Sequence, residues 1–234
     1  MRLDGHLRSF PVTGRILAVV STPRWPVIVF DLDGTVVNTI PLIIASYEHA
    51  MWSVLGVRPS PGEARGWIGQ TLYGTFSGRH PERAQELIDS YVAWNAEHLT
   101  ELLEDYPGAE ELVAELSACG ATVGVVTSKR HVSATNTLRA AGLDAHLPLL
   151  VAMEDTTMHK PNPEPLVLAM QRLGVRATDC VYIGDAVVDV LAAKAAGMAS
   201  IAVTWGAGDR PDLLAAGPLA VVDTMAELRA HLLD

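Results

Sequence analysis

V-I-V-F-D-L-D-G-T-V-V-N, from Val27 to Asn38, is the stretch on which the reading of this chain turns. Four apolar residues run directly into two aspartates that flank Leu32, and Gly34 and Thr35 follow. An apolar run of this length reads as a strand buried on both faces, which delivers Asp31 at its carboxyl end and Asp33 in the turn beyond it. Ligands of open α/β sheets gather at those strand ends. Gly34 permits the tight backbone that returns Asp33 over the same crevice. Two carboxylates so close repel each other unless a cation neutralises them, so the stretch reads as a magnesium site with a nucleophile.

Outward from that strand, the chain alternates. Helical spacing runs from Pro41 to Leu55 and closes at Gly56, a loop rich in Pro and Gly follows, and a second helical pattern spans Pro81 to Leu103. No strand is expected between Leu42 and Tyr106, so residues 42–106 read as a helical block inserted after the first strand. Beyond Tyr106-Pro107-Gly108, strands are expected at Thr122–Val126, Leu149–Val151, Val181–Ile183, Ser200–Val203 and Leu219–Val222. Helical patterns separate the first four and a last one ends the chain at Thr224–Leu233. Repeated β-α-β units imply an α/β fold, a doubly wound, mainly parallel Rossmann-like sheet with right-handed crossovers. The expected domains are a core of residues 25–41 and 107–234, the inserted block 42–106, and an N-terminal extension 1–24.

Three more strand ends carry polar residues. Thr127-Ser128 follows Val125-Val126, where a hydroxyl and the amides opening a helix suit a phosphoryl oxygen. Lys160 stands in His159-Lys160-Pro161-Asn162-Pro163-Glu164-Pro165, a cation suited to hold a nucleophile ionised. Asp185 ends the strand of Ile183-Gly184, and Asp189 lies one helical turn beyond it on the same face. Each stretch also has an ordinary structural reading: a turn for D-L-D-G-T, a helix cap for Thr127 or Asp185, a solvated surface lysine for Lys160. Four such stretches at four successive strand ends decide for chemistry.

Composition bounds the rest. With 49% hydrophobic and 19% charged residues, 234 residues can build a substantial core, and the formal charge of -10 excludes sequence-independent binding to nucleic acid or to an anionic membrane surface. A phosphorylated substrate remains open to an acidic protein, because a metal supplies local positive charge. Cys119 and Cys180 form no CxxC pair, which implies reduced thiols and a cytoplasmic location. The apolar run Ile16–Val20 is too short for a signal peptide, and no run approaches a membrane span. No histidine pair has zinc-binding spacing, and no obligate protein partner is evident.

The stretches D-L-D-G-T, V-V-T-S, H-K-P-N-P-E-P and G-D-A-V-V-D resemble, in order, the four motifs of the haloacid dehalogenase superfamily of phosphatases. The resemblance spans Val27 to the C-terminus, and residues 42–106 resemble that family's small helical cap. Within it the chain is similar to the phosphoglycolate phosphatase group, and especially to its inorganic pyrophosphatase branch. That finer likeness rests on Ile68-Gly69, Leu72, Thr75-Phe76, Ser90-Tyr91, Asn95, Glu97 and His98. Asn38-Thr39 stands where the family often has Asp-Ser or Asn-Ser, a conservative departure.

The resemblance implies Mg²⁺ and an aspartyl-phosphate intermediate, with Asp31 as nucleophile and Asp33 as general acid and base. It places Gly34, Thr127, Ser128 and Lys160 on the phosphoryl group, Asp31, Asp33 and Asp185 on the metal, and Asp189 behind them. Arg65, Trp67, Ile68, Gly69 and Arg79 are the block residues expected to choose a small phosphorylated substrate, phosphoglycolate-like or pyrophosphate. The same core would also serve a phosphatase for a sugar- or nucleotide-like metabolite, or a phosphomutase. A non-catalytic phosphate sensor usually lacks a nucleophile or metal ligand, whereas all four stations are filled here.

Overall fold

A computed structural model of the protein describes residues 21–234. The short apolar run before them, and most of the expected N-terminal extension, lie outside the described residues. Val27–Phe30 is β1, and Val37–Asn38 is a two-residue strand, β2. A helical block follows: α1 (Ile40–Leu55), α2 (Pro61–Arg65), α3 (Leu72–Ser77) and α4 (Ala84–Leu102). A second short strand, β3 (Glu104–Asp105), leads to α5 (Ala109–Ala118) and β4 (Thr122–Val126). Then come α6 (His131–Ala140), β5 (Leu149–Val151), α7 (Glu164–Leu173), β6 (Cys180–Gly184) and α8 (Val187–Ala195). The chain closes with β7 (Ala199–Val203), α9 (Arg210–Ala216), β8 (Ala220–Val222) and α10 (Met225–Leu232).

Six strands make one sheet in the order β5-β4-β1-β6-β7-β8, every neighbouring pair parallel. Because β1 lies between β4 and β6, the winding direction reverses beside it, and a crevice opens at the carboxyl ends there. The alternation within β1 explains the two layers. Ile28 and Phe30 face a core shared with Leu112, Leu116, Leu138 and Leu228, whereas Val27 and Val29 face Leu166, Ala169, Ala192 and Met198. Both faces are covered by helices, as a parallel sheet requires. Residues just before β1 are tied down too: Pro23 pairs with Leu233, and Arg24 Nε lies 2.8 Å from Asp234 Oδ1.

The helical block has its own core. Tyr47 of α1 sits at its centre, 5.1 Å from the Trp67 ring, 5.6 Å from Phe76 and 4.8 Å from Tyr91, centroid to centroid. Leu87 and Ile88 of α4 close around these rings. Burying one such aromatic ring contributes about 1.5–3 kcal/mol. The stop at Gly56 is as expected: its φ of 72° is left-handed, and its N–H bonds back to the Trp52 carbonyl.

Several elements differ from the sequence reading. Glu104–Asp105 pairs antiparallel with Val37–Asn38 inside a region where no strand was expected. Two residues per strand leave no periodicity to read, and the pair joins the two connections that lead into and out of the block. The Pro- and Gly-rich loop holds α2 and α3, nucleated by side chains of Ser60 and Thr71 that accept N–H bonds from Glu63 and Gly74. Between β7 and β8, α9 went unread because its seven residues carry too few turns for a helical pattern.

Candidate active site

Three parallel strands present the sequence-predicted groups side by side. Asp31 follows β1 and donates its N–H to the Ile183 carbonyl of β6 at 2.8 Å, Thr127 follows β4, and Asp185 follows β6. All three side chains are buried. Lys160 does not follow a strand end as the sequence suggested: it reaches the same point from the loop before α7, well past β5, and its ammonium uses all three donors. It bonds Asp31 Oδ1 at 2.9 Å, Asp189 Oδ1 at 2.5 Å and the Tyr182 hydroxyl at 3.1 Å. Tyr182 in turn donates to the Val126 carbonyl at 2.9 Å, so the cation is locked to β4 and β6 together. Asp189 is fixed by a second bond, accepting the Ala186 N–H at Oδ2.

Asp185 sits in a cradle. Its Oδ1 accepts the Thr35 hydroxyl at 2.9 Å, and its Oδ2 accepts the Ala207 N–H at 2.6 Å. Gly34 is needed here on two counts: its φ of +81° is left-handed, and a Cβ would collide with the Asp185 carboxylate. Gly206 approaches the same carboxylate as closely, and a side chain there would displace it. Gly34 therefore stands behind Asp185 rather than in the wall of the cavity.

Asp33 lies apart from this buried group. Its Oδ1 accepts the Thr39 hydroxyl at 2.6 Å and the Lys129 ammonium at 2.7 Å. Thr39, the residue at which the chain departs from the common family pattern, thus holds the second aspartate through its hydroxyl. Lys129 was not singled out from sequence, although it follows Thr127-Ser128 directly. Tyr182 was missed as well, since an aromatic residue in a buried strand reads as packing.

The charge balance tests whether a metal fits. One carboxylate oxygen from each of Asp31, Asp185 and Asp189 lies within 4.8 Å of the other two, and the Lys160 ammonium bonds Asp31 and Asp189. Burial first, and the neighbouring carboxylates next, push the Asp31 carboxyl up to about 8 despite Lys160. The same two causes push Asp185 up to about 7. Burial alone would lower the Lys160 ammonium, but Asp189 and Asp31 override it and hold it well above its usual range. A buried site with this surplus of negative charge, built of hard oxygen donors, fits a divalent cation.

Asp31 and Asp33 open into a cavity of about 260 Å³ between the sheet end and the helical block. Thr127, Ser128, Lys129 and Arg130 line one side, and Ile43, Ile68, Leu72 and Ile88 the other. Ile68 and Gly69 of the expected substrate-choosing set thus face the cavity. Trp67 does not: it is buried against Tyr47, with the Arg79 guanidinium 4.7 Å above its ring. Arg79 also donates to the Thr75 carbonyl at 3.0 Å. Arg65 donates to the Ala207 carbonyl at 3.1 Å and to the Gly206 carbonyl, which ties α2 to the loop that cradles Asp185.

Residues 28–203 match the haloacid dehalogenase-like hydrolase family. A relative from Bacillus velezensis, named Pyrophosphatase PpaX, is 35% identical over 205 residues, 88% of this chain and 95% of its own length. Among solved structures, a predicted phosphatase from Clostridium acetobutylicum superposes with a TM-score of 0.80 at 25% identity, covering 88% of this chain and 97% of its own. A hydrolase from Pseudomonas syringae does so with a TM-score of 0.78 at 25% identity, covering 88% of this chain and 96% of its own.

Proposed function

The chain belongs to the haloacid dehalogenase-like hydrolases, and from that premise we propose a Mg²⁺-dependent phosphohydrolase that works through an aspartyl-phosphate on Asp31. The observation that carries this reading is the buried bond from Lys160 to Asp31, made where β1, β4 and β6 end side by side. In the first step the Asp31 carboxylate attacks phosphorus and the bond from phosphorus to the leaving oxygen breaks. Asp33 gives its proton to that oxygen. In the second step Asp33 takes a proton from water, whose oxygen attacks the phosphoryl group. The bond from phosphorus to the Asp31 oxygen breaks, releasing inorganic phosphate and restoring the carboxylate.

Thr127 and the amides after it, Ser128 included, hold the phosphoryl oxygens, and Lys160 offsets their charge. Asp31, Asp185 and the Asp33 carbonyl would hold Mg²⁺, which when bound supplies positive charge to the transferring phosphoryl group. Asp189 positions Lys160. Residues 42–106 act as a cap over a core of residues 25–41 and 107–234, with Ile68 and Gly69 shaping the substrate side. The substrate is a small phosphate, either pyrophosphate, in keeping with the name of the Bacillus relative, or a phosphoglycolate-like monoester. Two free cysteines, Cys119 and Cys180, suit a reducing, cytoplasmic setting.

Phosphate release from pyrophosphate, phosphoglycolate, sugar phosphates and nucleoside monophosphates, with Mg²⁺ or EDTA, tests the reading. Turnover that requires both Mg²⁺ and Asp31, lost in Asp31→Asn, is the expected result. A folded protein inert towards the whole panel would overturn it.

A further inference from the structure

Two lysines stand at this site, and they are used differently. Lys160 spends every N–H on protein acceptors deep in the core. Lys129 spends one, on Asp33 Oδ1, and among the described residues its other two N–H groups have no protein acceptor. Its backbone is pinned, the N–H donating to Thr127 Oγ1 at 3.1 Å and the carbonyl accepting from Met153 at 3.0 Å. The side chain is only 11% exposed, and it lines the cavity. An ammonium so enclosed, with donors to spare, is poised for oxygen atoms of a ligand.

Its position says which atoms. On the reading above, Asp33 meets the leaving oxygen, and Lys129 shares the same Asp33 Oδ1 at 2.7 Å. The ammonium is therefore on the leaving-group side of the substrate. The arginines that sequence offered for a second anion are engaged elsewhere, Arg65 on the Gly206 and Ala207 carbonyls and Arg79 on Thr75 and the Trp67 ring. Among the residues lining the cavity the cations are Lys129 and Arg130, and Arg130 is half exposed and paired at 3.4 Å with Glu154. The facing wall of Ile43, Ile68, Leu72 and Ile88 offers no charge.

We propose that Lys129 is the residue that recognises a second anionic group on the leaving side of the substrate. The site then selects compact phosphates whose leaving group itself carries a phosphate or carboxylate, over esters of neutral alcohols. This rests on the phosphohydrolase reading above. Arg130 adds a weaker, solvent-screened contribution on the same side.

The test compares pyrophosphate, phosphoglycolate and p-nitrophenyl phosphate on wild type, Lys129→Met and Lys129→Arg. In Lys129→Met, the ratio of kcat/KM for either anionic substrate to that for p-nitrophenyl phosphate should fall about 10- to 100-fold, mostly through KM. Lys129→Arg should recover most of that ratio. On wild type alone, methylenediphosphonate should inhibit more tightly than methylphosphonate, a reading that survives if Lys129→Met does not fold. An equal fall on all three substrates would mean that Lys129 acts only through Asp33, and it would overturn the proposal. So would an unchanged ratio, or equal inhibition by the two phosphonates. Wild type active on p-nitrophenyl phosphate and inert towards both anionic substrates overturns this proposal and the substrates named above, and leaves the phosphohydrolase reading standing; wild type inert towards these three and towards the sugar phosphates and nucleoside monophosphates as well overturns that reading too.

Discussion

The end of the sheet and the centre of the helical block are both buried, but they are held by opposite means. At the sheet end, Asp31, Lys160, Asp185 and Asp189 are withdrawn from water and satisfied by one another and by Thr35, Tyr182 and the Ala207 N–H. In the block, Tyr47, Trp67, Phe76 and Tyr91 meet edge to face or tilted, and packing does the work. The ionic group is costly to bury and tolerates no loss of a partner, so it is held by rigid strand ends. The aromatic group tolerates repacking, which suits a surface that must differ between substrates.

Changes at the sheet end should break this contrast most sharply. Asp31→Asn removes the proposed nucleophile but keeps the shape, so turnover should fall at least about 10³-fold while the thermal transition stays cooperative. Steady-state phosphate release and circular dichroism on one sample check both halves. Lys160→Met leaves Asp31 and Asp189 buried without their cation, at a cost of about 3–5 kcal/mol, read by urea denaturation. A smaller loss would mean that water reaches the site.

In the block, Tyr47→Ala should cost about 3–5 kcal/mol as a cavity. Because the sheet core is separate, its effect on kcat should be smaller than that of Lys160→Met, with KM the more affected. Equal damage to kcat would show that the two cores do not behave independently.

A pH experiment sharpens the electrostatic half. Asp31 and Asp185 are pushed up in the fold, to about 8 and about 7, from an ordinary 3.8. An acid raised in this way contributes stability that is complete below its unfolded pKa and is lost as pH rises through the folded one. Without a cation, stability should decline from about pH 4 towards about pH 8. At the proposed site Mg²⁺ would bind the ionised carboxylates, so the rise in Tm that it produces should be larger at pH 8 than at pH 5. A Mg²⁺ effect independent of pH would count against these carboxylates as its ligands. The smallest effect is expected for Arg65→Gln, which unties α2 from the Gly206 and Ala207 carbonyls. A change in Tm of no more than a few degrees is expected from about 1 kcal/mol of lost bonding, with KM altered and kcat nearly kept.

The same contrast explains what could be read from the residues alone. β1, β4 and β6 announce themselves as apolar runs, and each is followed directly by a polar residue, so Asp31, Thr127 and Asp185 were legible, as were Lys160 and Asp189 by their place in order. Lys129 and Tyr182 were not, because contacts between distant parts of the chain, to Asp33 for the first and to Lys160 and Val126 for the second, give them their place. Arg65 and Arg79 mislead for a related reason. A long guanidinium side chain reaches a carbonyl or an aromatic face as readily as an anion, and only packing decides which. The short strands β2 and β3 and the helix α9 escaped because they are too brief to show a period.

The nucleophilic role of Asp31 is the central claim, and acid quenching during turnover with Mg²⁺, followed by peptide mass mapping, tests it most directly. A phosphoryl group on the peptide that contains Asp31, labile to hydroxylamine and absent from Asp31→Asn, is the result expected. Wild-type turnover with the phosphoryl group on another residue, or undiminished turnover in Asp31→Asn, would contradict it.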